Sequence, residues 1–260
     1  MKGVAIDMSK TPSIIGMAIG AVMVVLVIFV ALAADIFTPY DPIAMSIEDA
    51  LAVPSIEHPY GTDRMGRDVH SRVLHGIGAT LGVSALAVLF ALVIGSLLGA
   101  IGLLGESADR IIAGVSRFLG AGPGVLLAFA IVYSAGASGY SSVGGIAVVL
   151  LPGFMRAFRG AMVYFRRNNP LKALMVFVAR CALAMALAAF LYAVMGFIGF
   201  GAQPPISELG AMIGDGRMFL RNAYYLVSVP AFALAVVVLS FCVLGESMNA
   251  ALLAGEARGA

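Results

Sequence analysis

The sequence predicts an all-α integral membrane protein with six transmembrane helices, and three observations carry that reading. Hydrophobic residues make up 61% of the 260 positions and charged residues 12%, with a mean hydropathy of +1.02. Soluble domains carry about 25% charged residues and cannot hide this much apolar surface, whereas a bilayer can. The apolar residues gather into six runs near the ~20 residues that a spanning helix needs. Finally, basic residues favour alternate connections between those runs.

The six runs are 14–34, 77–103, 111–135, 143–158, 174–196 and 224–244. The fourth is short and contains Pro152-Gly153, which predicts a kink or an angled entry. Lys2 and Lys10 precede the first run, so the N-terminus is expected in the cytoplasm, and six crossings return the C-terminus there. The inner side then carries Lys2, Lys10, Arg110, Arg117, the basic stretch from Arg156 to Arg180, and Arg258. Only Arg64, Arg67, Arg72, Arg217 and Arg221 fall outside, in keeping with the positive-inside rule. The expected organisation is 1–13 as a cytoplasmic N-terminus, 14–34 as an anchor helix, 35–76 as an outer loop, 77–246 as a five-helix transmembrane domain, and 247–260 as a cytoplasmic tail. Ala31-Leu32-Ala33 imitates a signal-peptide cleavage site, but the apolar run exceeds the usual h-region of about 7–15 residues, which favours a retained anchor.

The outer loop 35–76 is polar and broken by Pro39, Pro42, Pro54 and Pro59, and 197–223 is a second outer connection rich in Gly and Pro. Gly95 and Gly99 form a GxxxG pair, expected to serve ordinary helix packing within the subunit rather than a dimer seam. Cys181 and Cys242 lie in apolar runs and are expected to be small packing residues. A net charge of +2 with no basic tail gives no reason to expect a nucleic-acid partner.

Little points to chemistry of the chain's own. His58, His70 and His75 share the first outer loop with Asp63 and Asp68, but their spacing fits no standard metal motif, so solvated loop histidines and no metal or cofactor are expected. Neither H-E-x-x-H, G-x-S-x-G nor a P-loop occurs, so any ATP would be hydrolysed by a partner. Arg117 and Arg180 near span ends are expected to snorkel. The spans hold no string of Asp, Glu or His of the kind a proton relay needs.

Four sets of residues resemble a family signature. His58-Pro59-Tyr60-Gly61-Thr62-Asp63-Arg64-Met65-Gly66-Arg67-Asp68-Val69-His70-Ser71-Arg72 is the longest. Gly199-Phe200-Gly201-Ala202-Gln203-Pro204-Pro205, with Gly210-Ala211-Met212 and Gly216-Arg217, is the second. Pro152-Gly153-Phe154 with Arg156, Arg159 and Gly160, and Asp109-Arg110 with Pro123-Gly124, complete the set. In order and spacing they resemble the second permease subunit of bacterial dipeptide, oligopeptide and nickel ABC importers. The resemblance implies a type I importer permease fold in the inner membrane. It also implies a second homologous permease, two cytoplasmic ATPases, an extracytoplasmic substrate-binding protein and membrane lipid as partners. The cargo would be peptides, nickel or a small metal chelate.

The outer motifs also have a physical reading. Gly61 and Gly66 permit turns that other residues resist. Asp63 and Asp68 can cap short helices or pair with Arg64, Arg67 or Arg72. Thr62, together with Gln203, Pro204, Pro205, Gly210 and Arg217 of the second motif, completes the candidate outer surface.

The resemblance breaks on the inner side. The family carries an E-A-A-x-x-x-G helix between the fourth and fifth spans that docks in the ATPase. Here Arg159-Gly160-Ala161-Met162-Val163-Tyr164 runs straight into Phe165-Arg166-Arg167-Asn168-Asn169-Pro170, a connection shorter by roughly 20 residues. Arg117, Gly114 and Gly122 replace the family's Asp, Arg and a bulky apolar residue, and the usual D-P-R ending is absent. Arg156, Arg159, Arg166, Arg167 and Lys172 are therefore the candidates for contact with an ATPase. Two readings stand: a working importer permease, or a non-transporting structural or regulatory relative uncoupled from ATP.

Overall fold

The computed structural model describes residues 11–256. Lys2, Lys10 and Arg258, on which part of the expected orientation rests, lie outside the described residues. The elements are α1 (Thr11–Leu32), a short α2 (Ala34–Phe37), α3 (Val69–Ile101), α4 (Glu106–Gly120), α5 (Pro123–Ala135), α6 (Gly139–Arg166), α7 (Pro170–Ile198), α8 (Leu209–Gly216) with a 3-10 turn at Arg217–Phe219, and α9 (Tyr225–Glu256). Among the described residues the only β pairing is an isolated bridge between Thr62 and Asp68.

Five of these helices, α1, α3, α6, α7 and α9, are long and apolar enough to cross a membrane unbroken. The third expected span is not a single helix. It is the pair α4 and α5, bent by 76° at Ala121-Gly122. Gly122 takes φ +114, a conformation L side chains avoid, and Pro123 starts α5 with its fixed φ. The 13 residues of α5 rise only about 20 Å, short of the ~30 Å hydrocarbon core, so a sixth crossing requires both pieces.

Helix ends also depart from expectation, because caps rather than hydropathy set them. The Asp68 side chain accepts a hydrogen bond from the Ser71 N–H at 2.7 Å, so α3 begins at Val69 and includes His70, Ser71 and Arg72. Ser138 and Ser141 form a reciprocal capping box, and α6 runs from Gly139 through Pro152 to Arg166 instead of over 143–158. At the start of α7, the Asn169 side chain accepts from the Lys172 N–H at 3.2 Å and Pro170 takes the first helical position. Only Arg167, Asn168 and Asn169 join α6 to α7, with Asn168 left-handed at φ +56.

In lipid, helices associate by close packing rather than by escape from water, and small residues supply the contacts here. A Cβ on Gly95 would lie 2.8 Å from Phe154 Cβ, and one on Gly99 would lie 3.0 Å from the Met155 carbonyl oxygen. The GxxxG pair thus seats α3 on α6 within the chain. Gly20 does the same for α1 against α9, where a Cβ would meet Leu244 N at 2.5 Å. Val27, Val73, Leu209 and Phe241 belong to one buried cluster, and Val88, Val132, Leu150 and Tyr192 to another. Both cysteines are free thiols within this packing.

Gly20→Val is expected to push α1 off α9 and cost about 1–3 kcal/mol. Gly82→Val, where a Cβ meets nothing within 4 Å, is expected to be neutral. Thermal unfolding of the two variants in detergent measures the difference, and equal midpoints would mean that α1 is not packed this way.

Candidate functional site

The first outer motif is a knot around one carboxylate. Gly61 and Gly66 turn the chain at φ +71 and +72, and at Gly66 a Cβ would sit 1.7 Å from the Ser46 carbonyl oxygen. These turns aim Asp63 inward. It accepts from the N–H groups of Met65 (2.8 Å) and Arg67 (3.0 Å), from Arg67 Nε (2.7 Å) and from Arg72 Nη1. The three side chains are nearly buried, at 13% for Asp63, 4% for Arg67 and 8% for Arg72. Burial alone would raise the Asp63 pKa; the charge of Arg72, the two backbone donors and Arg67 outweigh it and hold the carboxyl below its ordinary value. Thr62 Oγ1 accepts from the Ala52 N–H at 2.8 Å and donates to the Asp49 carbonyl. Asp68 caps α3 and also meets His58 Nδ1 at 3.0 Å.

The histidines are thus framework groups rather than freely solvated ones. His58 also stacks on Tyr40, and His70 lies against Tyr60. His75 Nδ1 is 2.9 Å from the Ser71 carbonyl and its Nε2 is 3.0 Å from Asp35. Among the described residues, no group of three His, Cys, Asp or Glu side chains is placed to hold a metal.

The second outer motif packs beneath the first. Gln203 Nε2 donates to the carbonyls of Gly199 and Gly201 at 3.3 and 3.2 Å, closing the loop that carries Pro204-Pro205. Gly210 lies so close to α7 that a Cβ would fall 2.0 Å from the Ala193 carbonyl oxygen, and Arg217 sits over the Phe197 ring at 5.5 Å. The motifs meet at a small cavity of about 20 Å³ lined by Asp63, Arg67, Arg72, Asp215 and Gly216, room for about one water.

Three residues of this cap escaped the sequence reading. Glu208 is fully buried and accepts from the N–H groups of Gly210 and Ala211 at 2.8 and 2.9 Å. Burial pushes its pKa up to about 7 against the pull of those two donors. Asp215 faces the Arg72 charge, and the Tyr225 hydroxyl donates to the Ala52 carbonyl at 2.9 Å, tying the loop to α9. Glu is not among the residue types that announce an N-cap, so nothing in the sequence marked Glu208 as the cap of α8, and no sequence signal paired Tyr225 with Ala52.

At the opposite end of the helices the structure divides the basic candidates. Arg156 and Arg159 face α4, where Arg156 Nη1 donates to Ser116 Oγ at 3.3 Å and Arg159 pairs with Asp109. Arg166 and Arg167 are exposed at the α6–α7 turn, and Lys172 Nζ lies 5.9 Å from the Tyr164 ring centre. Arg180 does not snorkel freely: its guanidinium lies over Phe154 at 5.7 Å, in the notch left by Gly153.

The chain is 31% identical over 255 residues to the dipeptide transport system permease protein DppC of Alkalihalophilus pseudofirmus, covering 90% of this chain and 84% of that one. It is 29% identical over 250 residues to the probable D,D-dipeptide transport system permease protein DdpC of Escherichia coli K12, covering 88% and 84%. Against the glutathione transport system permease protein GsiD of Pectobacterium atrosepticum the figure is 32% over 254 residues, covering 88% and 83%. No family model matches the chain.

Asp63→Asn leaves two buried guanidinium groups without their counter-charge and is expected to destabilise the cap by about 3 kcal/mol. Because the folded pKa of Asp63 is depressed, its contribution is intact above the ordinary carboxylate range near pH 4 and is lost as pH falls further. Glu208 has the opposite sign. With its folded pKa raised to about 7, it is best tolerated below about pH 4.5, and its cost grows as pH rises to about 7. Glu208→Gln should therefore melt with the wild type at pH 4.5 and above it at pH 8, by on the order of 2 kcal/mol. Melting curves at the two pH values check both signs.

Proposed function

We propose, from the premise that the chain belongs to the peptide ABC importer permease family, that it is the permease subunit of an importer that carries short peptides across a bacterial inner membrane. The observation that carries this reading is the relationship over nine-tenths of the chain to transport permeases for dipeptides. The chain is a multi-pass membrane subunit rather than an enzyme, and hydrolysis of ATP falls to separate ATPase subunits. In the proposed assembly a second homologous permease completes the pathway. Two cytoplasmic ATPases drive it, and an extracytoplasmic binding protein delivers cargo to the outer cap. Both termini then lie in the cytoplasm, which places the Asp63 knot outside and the α6–α7 turn inside.

Within this reading Arg166, Arg167 and Lys172 carry the ATPase contact. α6 outruns the bilayer: from Gly139, a ~30 Å core is crossed by about residue 159, and the last turns up to Arg166 project roughly 10 Å further. A helical hairpin tip with exposed Arg166 and Arg167 thus stands where relatives are expected to hold a transverse helix. The three-residue turn also favours a second reading, a permease relative that binds its partners without coupling to ATP. A permease draws on ATP only if the ATPase states bias its two conformations differently, and that requires contact.

Co-purification from native membranes separates the readings. The working-permease reading expects a companion permease and two ATPases with the wild-type chain, and peptide-stimulated hydrolysis after reconstitution. Arg166→Glu with Arg167→Glu should reduce ATPase recovery at least fivefold, while Arg217→Glu on the outer face should leave it unchanged. Full ATPase recovery with no stimulation by peptide would instead establish the uncoupled relative.

A further inference from the structure

The inner ends of α4 and α6 enclose a cleft of about 230 Å³, lined by Ile112, Ser116, Arg117, Met155, Arg156 and Arg159. Its charge is unbalanced. Arg159 pairs with Asp109, yet its Nε is buried without a hydrogen-bond partner. Among the described residues Arg156 reaches only the Ser116 hydroxyl, and Arg117 only the Ala113 carbonyl of its own helix at 3.3 Å. Arg180, behind the cleft, also has a buried Nε without a partner. Among the described residues, neither Arg117, Arg156 nor Arg180 forms an ion pair with a carboxylate.

The depth of the cleft is set by helix geometry. Counted from the outer end of α6 at 1.5 Å per residue, Arg156 lies about 26 Å down and Arg159 about 30 Å, the level where the hydrocarbon core ends. Counted from the outer end of α7, Arg180 lies about 27 Å down. α4 itself carries an exposed apolar stripe at helical spacing, Ile111 (66% exposed), Val115 (41%) and Phe118 (59%), while Ile112 and Ser116 on the opposite side are buried. With its axis turned 76° from α5, α4 adds only a small part of its length to the sixth crossing and otherwise runs along the interface, its apolar stripe toward the acyl chains. The arginine-lined cleft then opens at headgroup depth.

We propose that this cleft binds the phosphate of an anionic phospholipid headgroup through Arg117, Arg156 and Arg159, with Ser116 as a neutral donor. Arginine suits the task, because its fork of donors matches phosphate oxygens in pairs. The site needs the membrane-spanning arrangement but not transport, so it stands or falls separately from the permease reading.

The test is native mass spectrometry of the purified full-length chain, released from micelles containing equal phosphatidylglycerol and phosphatidylcholine. Preferential retention of phosphatidylglycerol is expected. Arg117→Gln with Arg156→Gln should weaken it by roughly fivefold per arginine lost. Arg166→Gln with Arg167→Gln, at the hairpin tip roughly 10 Å beyond the core, should leave it within about twofold, because charges about a Debye length from the headgroup are largely screened. Ser116→Leu fills the cleft without changing charge and should also abolish retention, while Arg156→Lys, which keeps the charge but loses the fork, should retain less than the wild type and more than Arg156→Gln; a thermal melt of each variant excludes unfolding as the cause. Equal phosphatidylglycerol retention in the two double variants overturns the proposal. Displacement of the lipid by millimolar inorganic phosphate would reassign the cleft to a soluble phosphate. Loss of a co-purifying subunit in Arg117→Gln with Arg156→Gln, at unchanged lipid retention, would reassign it to a protein carboxylate.

Discussion

The half of this molecule that carries the loop between α2 and α3 depends on the ionised carboxylate of Asp63. Two nearly buried arginines and two backbone N–H groups converge on it. Each guanidinium would be costly to bury alone, and the carboxylate would be costly without its donors. Satisfied together, they fix the loop in one conformation. Arg72 is a residue of α3, so the knot also sets where that helix starts. Asp215 and Gly216 line the same small cavity, so α8 is held by the same charges. The ladder from Thr62 to Ala52 and Tyr225 then carries the constraint to the start of α9. An outer cap in which distant segments share one charge centre is rigid without any disulfide, consistent with the two free thiols elsewhere.

The half at the α6–α7 turn is built on the opposite plan. Its basic residues outnumber its acidic ones, and those facing the α4–α6 cleft share a single described carboxylate, Asp109. Apart from the Arg159–Asp109 pair, its described basic side chains meet hydroxyls, carbonyls and aromatic rings rather than carboxylates. The difference follows from chain geometry. The outer motifs lie on loops long enough to fold back and satisfy their own charges. The inner arginines sit on helix ends, where direction is fixed by the helix and partners must come to them.

Much of this was legible in the sequence because hydropathy is a strong signal over a span. All five unbroken helices fall on predicted runs, and the outer motifs meet as two contiguous stretches do when glycines set the turns. What hydropathy misjudged has one cause: a helix does not stop where the membrane does. Asp68 and Ser138 are ordinary caps lying beyond the apolar runs, so α3 and α6 are longer than their apolar cores. The broken third span is the reverse case. Gly122-Pro123 was visible, but the flanking apolar residues made a continuous run that masked it. The basic stretch was read as one patch because its residues are close in sequence; at 3.6 residues per turn, Arg156 and Arg159 point at α4 while Arg166 and Arg167 end the helix. Glu208 was missed as a buried group because an acidic residue in a Gly- and Pro-rich connection ordinarily reads as solvated.

The short α6–α7 turn changes what a contact made there could transmit. A transverse helix held between two flexible strands can tilt without moving the spans. Here Pro170 and the Asn169 cap start α7 within three residues of the end of α6, and Lys172 lies over Tyr164 across the gap. The two helices are therefore joined stiffly at the tip. A force applied to Arg166 or Arg167 would pass along both helices as a unit, through Gly153 and Arg180 to the packing of Phe154 against Gly95. Such a lever has little give, and its contact with an ATPase must follow the motion of the spans directly or not form at all. That choice between tight coupling and none is why the hairpin, rather than the well-ordered outer cap, decides between the two functional readings.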